Sequence, residues 1–219
     1  MKPKKLKITL ITDNPKSWII PFAARLRATL QKQHSVRWVF DPGKVRAGDL
    51  AVFLSCETIV KSNILRLSKH NLVVHPSRLP KGRGWSPLAW QILEGKNKIP
   101  VTMFEAAESV DSGEIYFQDQ IIFEGHELVD ELRQKQGGKA LELVEKFVQR
   151  YPKIKSRPQA GQPSYYRRRT ALDSELQIDK SLKAQFNLLR VADNERYPAF
   201  FYYCGHKYVL KIYKASNEN

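Results

Sequence analysis

The chain has 219 residues, 42% of them hydrophobic, which suits one domain of ordinary size with a real core and room for one small appendage. The formal net charge of +15 predicts attraction to polyanions without saying which: nucleic acid, a nucleotide-linked metabolite and a polyglutamylated cofactor all qualify, and so does a merely solubilising basic surface. No apolar run reaches the length of a membrane span, and the two cysteines, Cys56 and Cys204, have no metal-ligand spacing and suit a reducing cytoplasm.

The elements follow in chain order. The apolar stretch "LKITLIT" is too short for a secretion signal and lacks a small-residue cleavage site, so it reads as a first strand. "SWIIPFAARLRATLQKQ" has helical spacing, with Ser17 placed to cap it and Pro21 near its start. "SVRWVF" is a second strand. "DLAVFLS" is a third, continuously apolar and so expected to be buried on both faces. "KSNILRLSK" predicts a short helix, "NLVVH" a fourth strand ending on His75, and "PLAWQILEG" a helix stopped at Gly95. "IPVTMFEA" is a fifth strand, "EIYFQDQIIF" is extended, and residues 126–151 form a long helical stretch broken at Gly137-Gly138. Strands alternating with helices argue for an α/β fold with a mostly parallel sheet.

The character then changes. Residues 151–169, "YPKIKSRPQAGQPSYYRRR", carry six basic residues and no acid, and their prolines predict a linker or an ordered arm. Residues 170–219 supply a helix and two aromatic-rich strands meeting around Gly205-His206, a small α+β tail with a β-hairpin. About fifty residues are too few for an independent core, so the tail should pack on the first 150 residues or on a second subunit.

In open α/β sheets ligands bind beyond the carboxyl ends of the strands. His75 and Ser55 stand at such ends, and Asp111 lies in the loop after the fifth strand, so three segments are expected to meet at one rim. "TDNPKSW" stands where a dinucleotide fingerprint would be, and no Walker-type loop is present, which disfavours NAD and ATP.

"VVHPSRLPKGRGWSPLAWQILEG" followed by "IPVTMFEAAESVDSGEI" resembles the signature of formyltransferases that use 10-formyltetrahydrofolate. The matching positions are His75, Ser77, Leu79, Pro80, Gly84, Pro87, Trp90, Ile92, Gly95, Val101, Thr102, Val110, Asp111, Gly113 and Ile115. The likeness is strong over residues 49–116 and holds in general layout over residues 1–48. "YYRRRTALDS", "FNLLRV" and "YPAFF" are similar to the tail of family members that formylate amino sugars. Methionyl-tRNA formyltransferases carry a larger C-terminal barrel, for which this chain is short.

The resemblance implies a Rossmann-like formyltransferase fold and formyl transfer to an amine, with an amino sugar or nucleotide sugar as acceptor, no metal and no nucleic acid or membrane partner; the alternatives are another amine, such as an amino acid, a ribonucleotide amine or a carrier-bound peptide, or a basic RNA-binding protein on the same scaffold. It implies His75 as proton shuttle and Asp111 as the carboxylate that orients it. Leu79, Pro80, Gly84 and Val110 would meet the folate, as would Ser55, Cys56 and Ile59 from a loop whose sequence departs from the family's. Cys56 invites a nucleophile reading, but direct transfer needs no covalent enzyme intermediate, and a small buried thiol is the better reading. On the acceptor side, Asn14, Ser17 and Trp18 meet the sugar or else form a capping turn with an anchoring aromatic. Lys81 and Arg83 hold a phosphate or the folate glutamate tail, or else belong to a solvated loop. A homodimer through the hairpin is also implied. One position departs: the family's asparagine two residues before the histidine is Val73 here. The extended backbone keeps Asn71 about 13 Å from His75, too far to replace it.

Overall fold

The computed structural model describes residues 5–215; residues 1–4 and 216–219 lie outside it. A six-stranded sheet forms the centre, in the order β2-β1-β3-β4-β6-β7. β1 (Lys7–Ile11) pairs in parallel with β2 (Ser35–Val39) and β3 (Gly48–Phe53), and β3 pairs in parallel with β4 (Ser68–His75). β3 is buried along nearly its whole length, as its unbroken apolar run requires.

The two-residue β5 (Arg83–Gly84) follows β4. Next in the sheet, β6 (Lys98–Glu105) runs antiparallel to β4, and β7 (Ile115–Ile122) antiparallel to β6. The direction of β6 changes how Asp111 is delivered. The strand ends beside Asn71, where Ala106 N donates to Asn71 O at 2.7 Å, and the loop after it doubles back to His75. Asp111 therefore does not come from the carboxyl-end rim shared by β1, β3 and β4.

Three helices cover one face. α1 (Ile20–Leu30), α3 (Pro87–Leu93) and α4 (Val129–Arg150) bury Leu26, Ile92, Val144 and Phe147 against Ile8, Leu10, Leu72 and Met103. α1 begins later than expected: its cap position is Ile19, with no side-chain cap, and Ser17 sits in the preceding turn. α2 (Ser62–Leu65) is a single turn, because Ser68 and Lys69 already belong to β4. α4 runs unbroken through Gly137 and Gly138.

Residues 151–166 return past β7, where Arg157 and Ile115 exchange backbone hydrogen bonds, and β8 (Tyr165–Tyr166) pairs with β5. In the tail, α5 (Phe186–Val191) is shorter than its sequence pattern, being preceded by a 3-10 turn at Lys183–Gln185. β9 (Ala199–Tyr203) and β10 (His206–Leu210) pair antiparallel. Their turn is Cys204-Gly205, both at positive φ (47° and 79°), so His206 starts the second strand. The tail packs on the main body. Arg190, 1% exposed, pairs with Glu127 at 3.4 Å, and Arg133 with Asp193 at 2.6 Å. Val191 joins the main core.

Candidate active site

β4 alternates its side chains across the sheet. Leu72 and Val74 enter the helical core, while Val73 packs on the other face with Leu79, Phe104 and Ile115. His75 shares the Val73 face and is 8% exposed. The loop after it folds over this face. Thr102, register partner of His75, donates its hydroxyl to Ser77 O at 2.7 Å, and Gln91 Nε2 donates to Pro76 O at 2.7 Å.

His75 Nε2 lies 2.9 Å from Gly82 O and 3.6 Å from Asp111 Oδ2. A carbonyl only accepts, so Nε2 carries a proton and Nδ1 is the nitrogen that can take one up. The same Asp111 oxygen accepts from Gly84 N at 2.8 Å. Two glycines make this arrangement possible. At Gly84 φ is +91° and an added Cβ would stand 2.6 Å from Tyr166 O. At Gly113 an added Cβ would stand 1.7 Å from Glu105 O, so only glycine lets the Asp111 loop lie against the end of β6.

His75, Asp111 and Gly84 are thus brought together, with Leu79 and Pro80 buried in the loop that carries His75. Val110, next to Asp111, leaves 40% of its surface uncovered, and Ile59 leaves 63%. The loop after β3 has a different fastening from any the sequence suggests. Asp13 Oδ2 accepts from Glu57 N and Thr58 N at 2.8 and 2.7 Å, with Ser55 at φ 54°. Cys56 turns inward to Ile11 O at 3.4 Å, and burial, reinforced by the charge of Asp13, pushes its thiol up to about 12.

Asn14, Ser17 and Trp18 hold one another's turn. Asn14 Oδ1 accepts from Lys16 N at 2.9 Å, Ser17 N donates to Asn14 O, and Trp18 packs edge-on to Phe22 at 5.9 Å. Lys81 is exposed; Arg83 is engaged by the returning arm, donating to Gln159 Oε1 at 2.7 Å and Tyr165 Oη at 3.3 Å.

The arm contributes residues that no motif marked. Gln159 Nε2 reaches both Asp111 O and Gly113 O, and Ser164 Oγ accepts from Gly82 N at 2.9 Å. Their one sequence signal is the proline-rich, acid-free composition of residues 151–169.

Val73 offers no donor, and Asn71 is engaged elsewhere, donating from its side chain to Glu105 Oε1 at 3.0 Å and Leu65 O at 2.9 Å. The loop's backbone N–H groups are largely used. Those of Ser77, Lys81, Gly82, Arg83, Gly84 and Trp85 all donate within the protein. The imidazole and the buried Ser77 hydroxyl, which has no partner among the described residues, remain as donors near His75.

Comparison with known proteins fits this arrangement. The sequence profile of the formyl transferase family matches residues 20–146, more than half the chain. The chain belongs to the formyl transferase family. A methionyl-tRNA formyltransferase from Coprothermobacter proteolyticus is 29% identical over 137 residues, which is 61% of this chain and 44% of that protein. The chain therefore spans less than half the length of that relative.

Three solved structures share the fold of this formyl transferase. The methionyl-tRNA formyltransferase of Clostridium thermocellum has a TM-score of 0.81 at 20% identity, covering 98% of this chain and 95% of that one. A sugar N-formyltransferase from Shewanella sp. gives 0.70 at 15%, covering 97% and 99%. HypX from Aquifex aeolicus, solved with tetrahydrofolic acid, gives 0.72 at 17%, covering 95% and 38%. Methionyl-tRNA and sugar formyltransferases are both among these structures.

Proposed function

We propose that this chain transfers a formyl group from 10-formyltetrahydrofolate to the primary amine of a nucleotide-linked amino sugar, in the cytoplasm, for assembly of a surface glycan. The observation that carries the reading is the His75–Asp111 pair, fixed by Gly84 N, within a member of the formyl transferase family.

The residues present fit a folate. Val110 and Ile59 leave apolar surface uncovered on the loops after β6 and β3, while Leu79, Phe104 and Ile115 form closed packing on the His75 face. The co-substrate, when bound, supplies the formyl carbon that a neutral amine attacks and the oxygen on which negative charge develops. His75 Nδ1 would receive the proton that the amine loses and pass it to the folate nitrogen, whose bond to the formyl carbon breaks as the new one forms. Asp111 then faces the imidazolium and stabilises it, and Gly84 N keeps the carboxylate in place. In the absence of the family's asparagine, the imidazole can donate to the charged oxygen from Nδ1 once it has taken up the amine's proton.

Two observations support an anionic, base-bearing acceptor. The amino-sugar-type tail sequence is one. The other is a shelf beside Gly84, where the Arg168 guanidinium lies 4.5 Å from the Trp85 ring centroid and pairs with Glu57 at 3.1 Å. An arginine on an aromatic face suits a phosphate next to a stacking base. The test measures tetrahydrofolate release with a panel of nucleotide 4-amino sugars, free amino acids and methionyl-tRNA. Release with none of the sugars sinks the sugar reading.

A second reading, formylation of an aminoacyl-tRNA, is favoured by the curated relative and by the charge of +15. Turnover of methionyl-tRNA that falls by decades over a modest rise in salt would select it. We also expect a homodimer through the hairpin, whose two strands leave Tyr202, Tyr203, Tyr208 and Val209 exposed.

A further inference from the structure

One side chain of the returning arm touches both halves of the site. Gln159 Nε2 donates to Asp111 O and to Gly113 O, each at 2.8 Å, and its Oε1 accepts from Arg83 Nη2 at 2.7 Å. A primary amide offers two N–H donors and one carbonyl, so these contacts use both hydrogens and the oxygen. Arg83 only donates, which fixes which end of the amide is which.

The two carbonyls belong to Asp111, whose φ is +49°, and to Gly113, so they hold the turn from Asp111 onward. That left-handed conformation costs a non-glycine residue about 1 kcal/mol or more, and it persists only where neighbours hold it. Arg83 is next in sequence to Gly84, whose N–H holds the Asp111 carboxylate. Gln159 therefore links the backbone beneath the carboxylate to the strand that orients its oxygen.

We propose that Gln159 is a positioning residue for proton transfer at His75. It holds the Asp111 turn from behind and sets the carboxylate 3.6 Å from the imidazole, touching neither substrate nor reacting atoms. The inference rests on the formyl-transfer reading for its kinetic consequence but not for its structural one. Without the two donated hydrogen bonds the turn relaxes towards negative φ, and the carboxylate leaves both Gly84 N and His75. A misplacement of about 1 Å at a proton-transfer pair costs up to about a hundredfold in rate.

The test compares Gln159→Leu and Gln159→Glu in the full chain. Leucine removes all three contacts. Glutamate keeps the volume and the Arg83 contact but turns its second oxygen, which has no hydrogen to donate, towards the two carbonyls. Space filling alone would rank glutamate nearer the wild type, whereas positioning through the donated bonds ranks it level with leucine or below. The expected result is a shifted Gly84 amide resonance in the ¹⁵N spectrum of both variants, with kcat lowered about tenfold or more and KM changed by less than about threefold. If leucine prevents folding, glutamate carries the test alone.

A glutamate variant with the wild-type Gly84 resonance and wild-type kcat overturns the proposal, as does a loss confined to KM. The Gly84 resonance is read without substrate. A wild type that formylates no amine therefore overturns the proposed function, while the amide shift still decides whether Gln159 holds the turn.

Discussion

His75 Nε2 is committed to Gly82 O, which leaves Nδ1 as the proton acceptor, with Asp111 Oδ2 3.6 Å from the ring. Removing the shuttle should therefore cost more than removing anything else on this face. His75→Asn should lower turnover by ~10²–10⁴-fold, Asp111→Asn severely but less, and Val73→Ala only a few-fold, since Val73 acts through packing. Steady-state kinetics of the three variants checks the order; near wild-type turnover for His75→Asn would leave only a shared fold. Cys56 gives a second prediction at this scale. A raised thiol pKa means a neutral thiol: with its pKa at about 12, Cys56 is about 10⁻⁴ thiolate at pH 8. Disulfide reagents should label the exposed Cys204 in the native protein and reach Cys56 only on unfolding.

The paired glycines of α4 look like a helix break, and the helix continues through them for a packing reason. A Cβ at Gly137 would stand 2.5 Å from the ring of Phe22 on α1, whereas one at Gly138 meets nothing within 4 Å. Gly137 thus sets how closely α4 approaches α1, and Gly138 only adds backbone entropy to the unfolded chain. Gly138→Ala should stabilise the protein by up to about 1 kcal/mol. Gly137→Ala gains the same propensity but overpacks the interface, at about 1–3 kcal/mol, and should come out destabilising. Urea midpoints of the two variants decide it, and equal shifts would rule out the packing role.

The tail is fastened to the main body through a buried ion pair, and that fastening is pH-dependent. Burial alone would raise the Glu127 pKa. The Lys135 ammonium at 2.7 Å and the N–H groups of Glu124 and Gly125 outweigh it and hold the carboxyl at about 2. A depressed folded pKa contributes stability that is complete above the unfolded value of 4.5 and is lost as pH falls towards 2. The wild type should lose on the order of 2–3 kcal/mol across that window, while Glu127→Gln starts lower and loses less. Chemical unfolding at stepped pH measures it; parallel curves would contradict the linkage. On the far side of the tail, Phe200 and Ala199 are buried while Tyr203 and Tyr208 are 58% and 46% exposed. Sedimentation should report a dimer that Tyr203→Glu dissociates, and an unchanged oligomeric state would end the hairpin proposal.

Local chemistry was legible in the chain. Hydrophobic period gave the strand–helix order, and the spacing of His75, Gly84, Asp111 and Gly113 gave the family, because backbone conformation and close approach restrict which residue types those positions accept. Helix ends were less legible, since packing rather than propensity decided that α4 crosses its glycines and that α2 stops after one turn. Direction and long-range closure lay beyond the sequence. Period alone does not say that β6 runs antiparallel, nor that the Asp111 loop doubles back to His75. The Gln159 clasp joins residues 48 apart and leaves no periodic trace. Hydrogen bonds between distant segments depend on where the sheet places them, and only the tertiary structure made residues 151–166 part of the site.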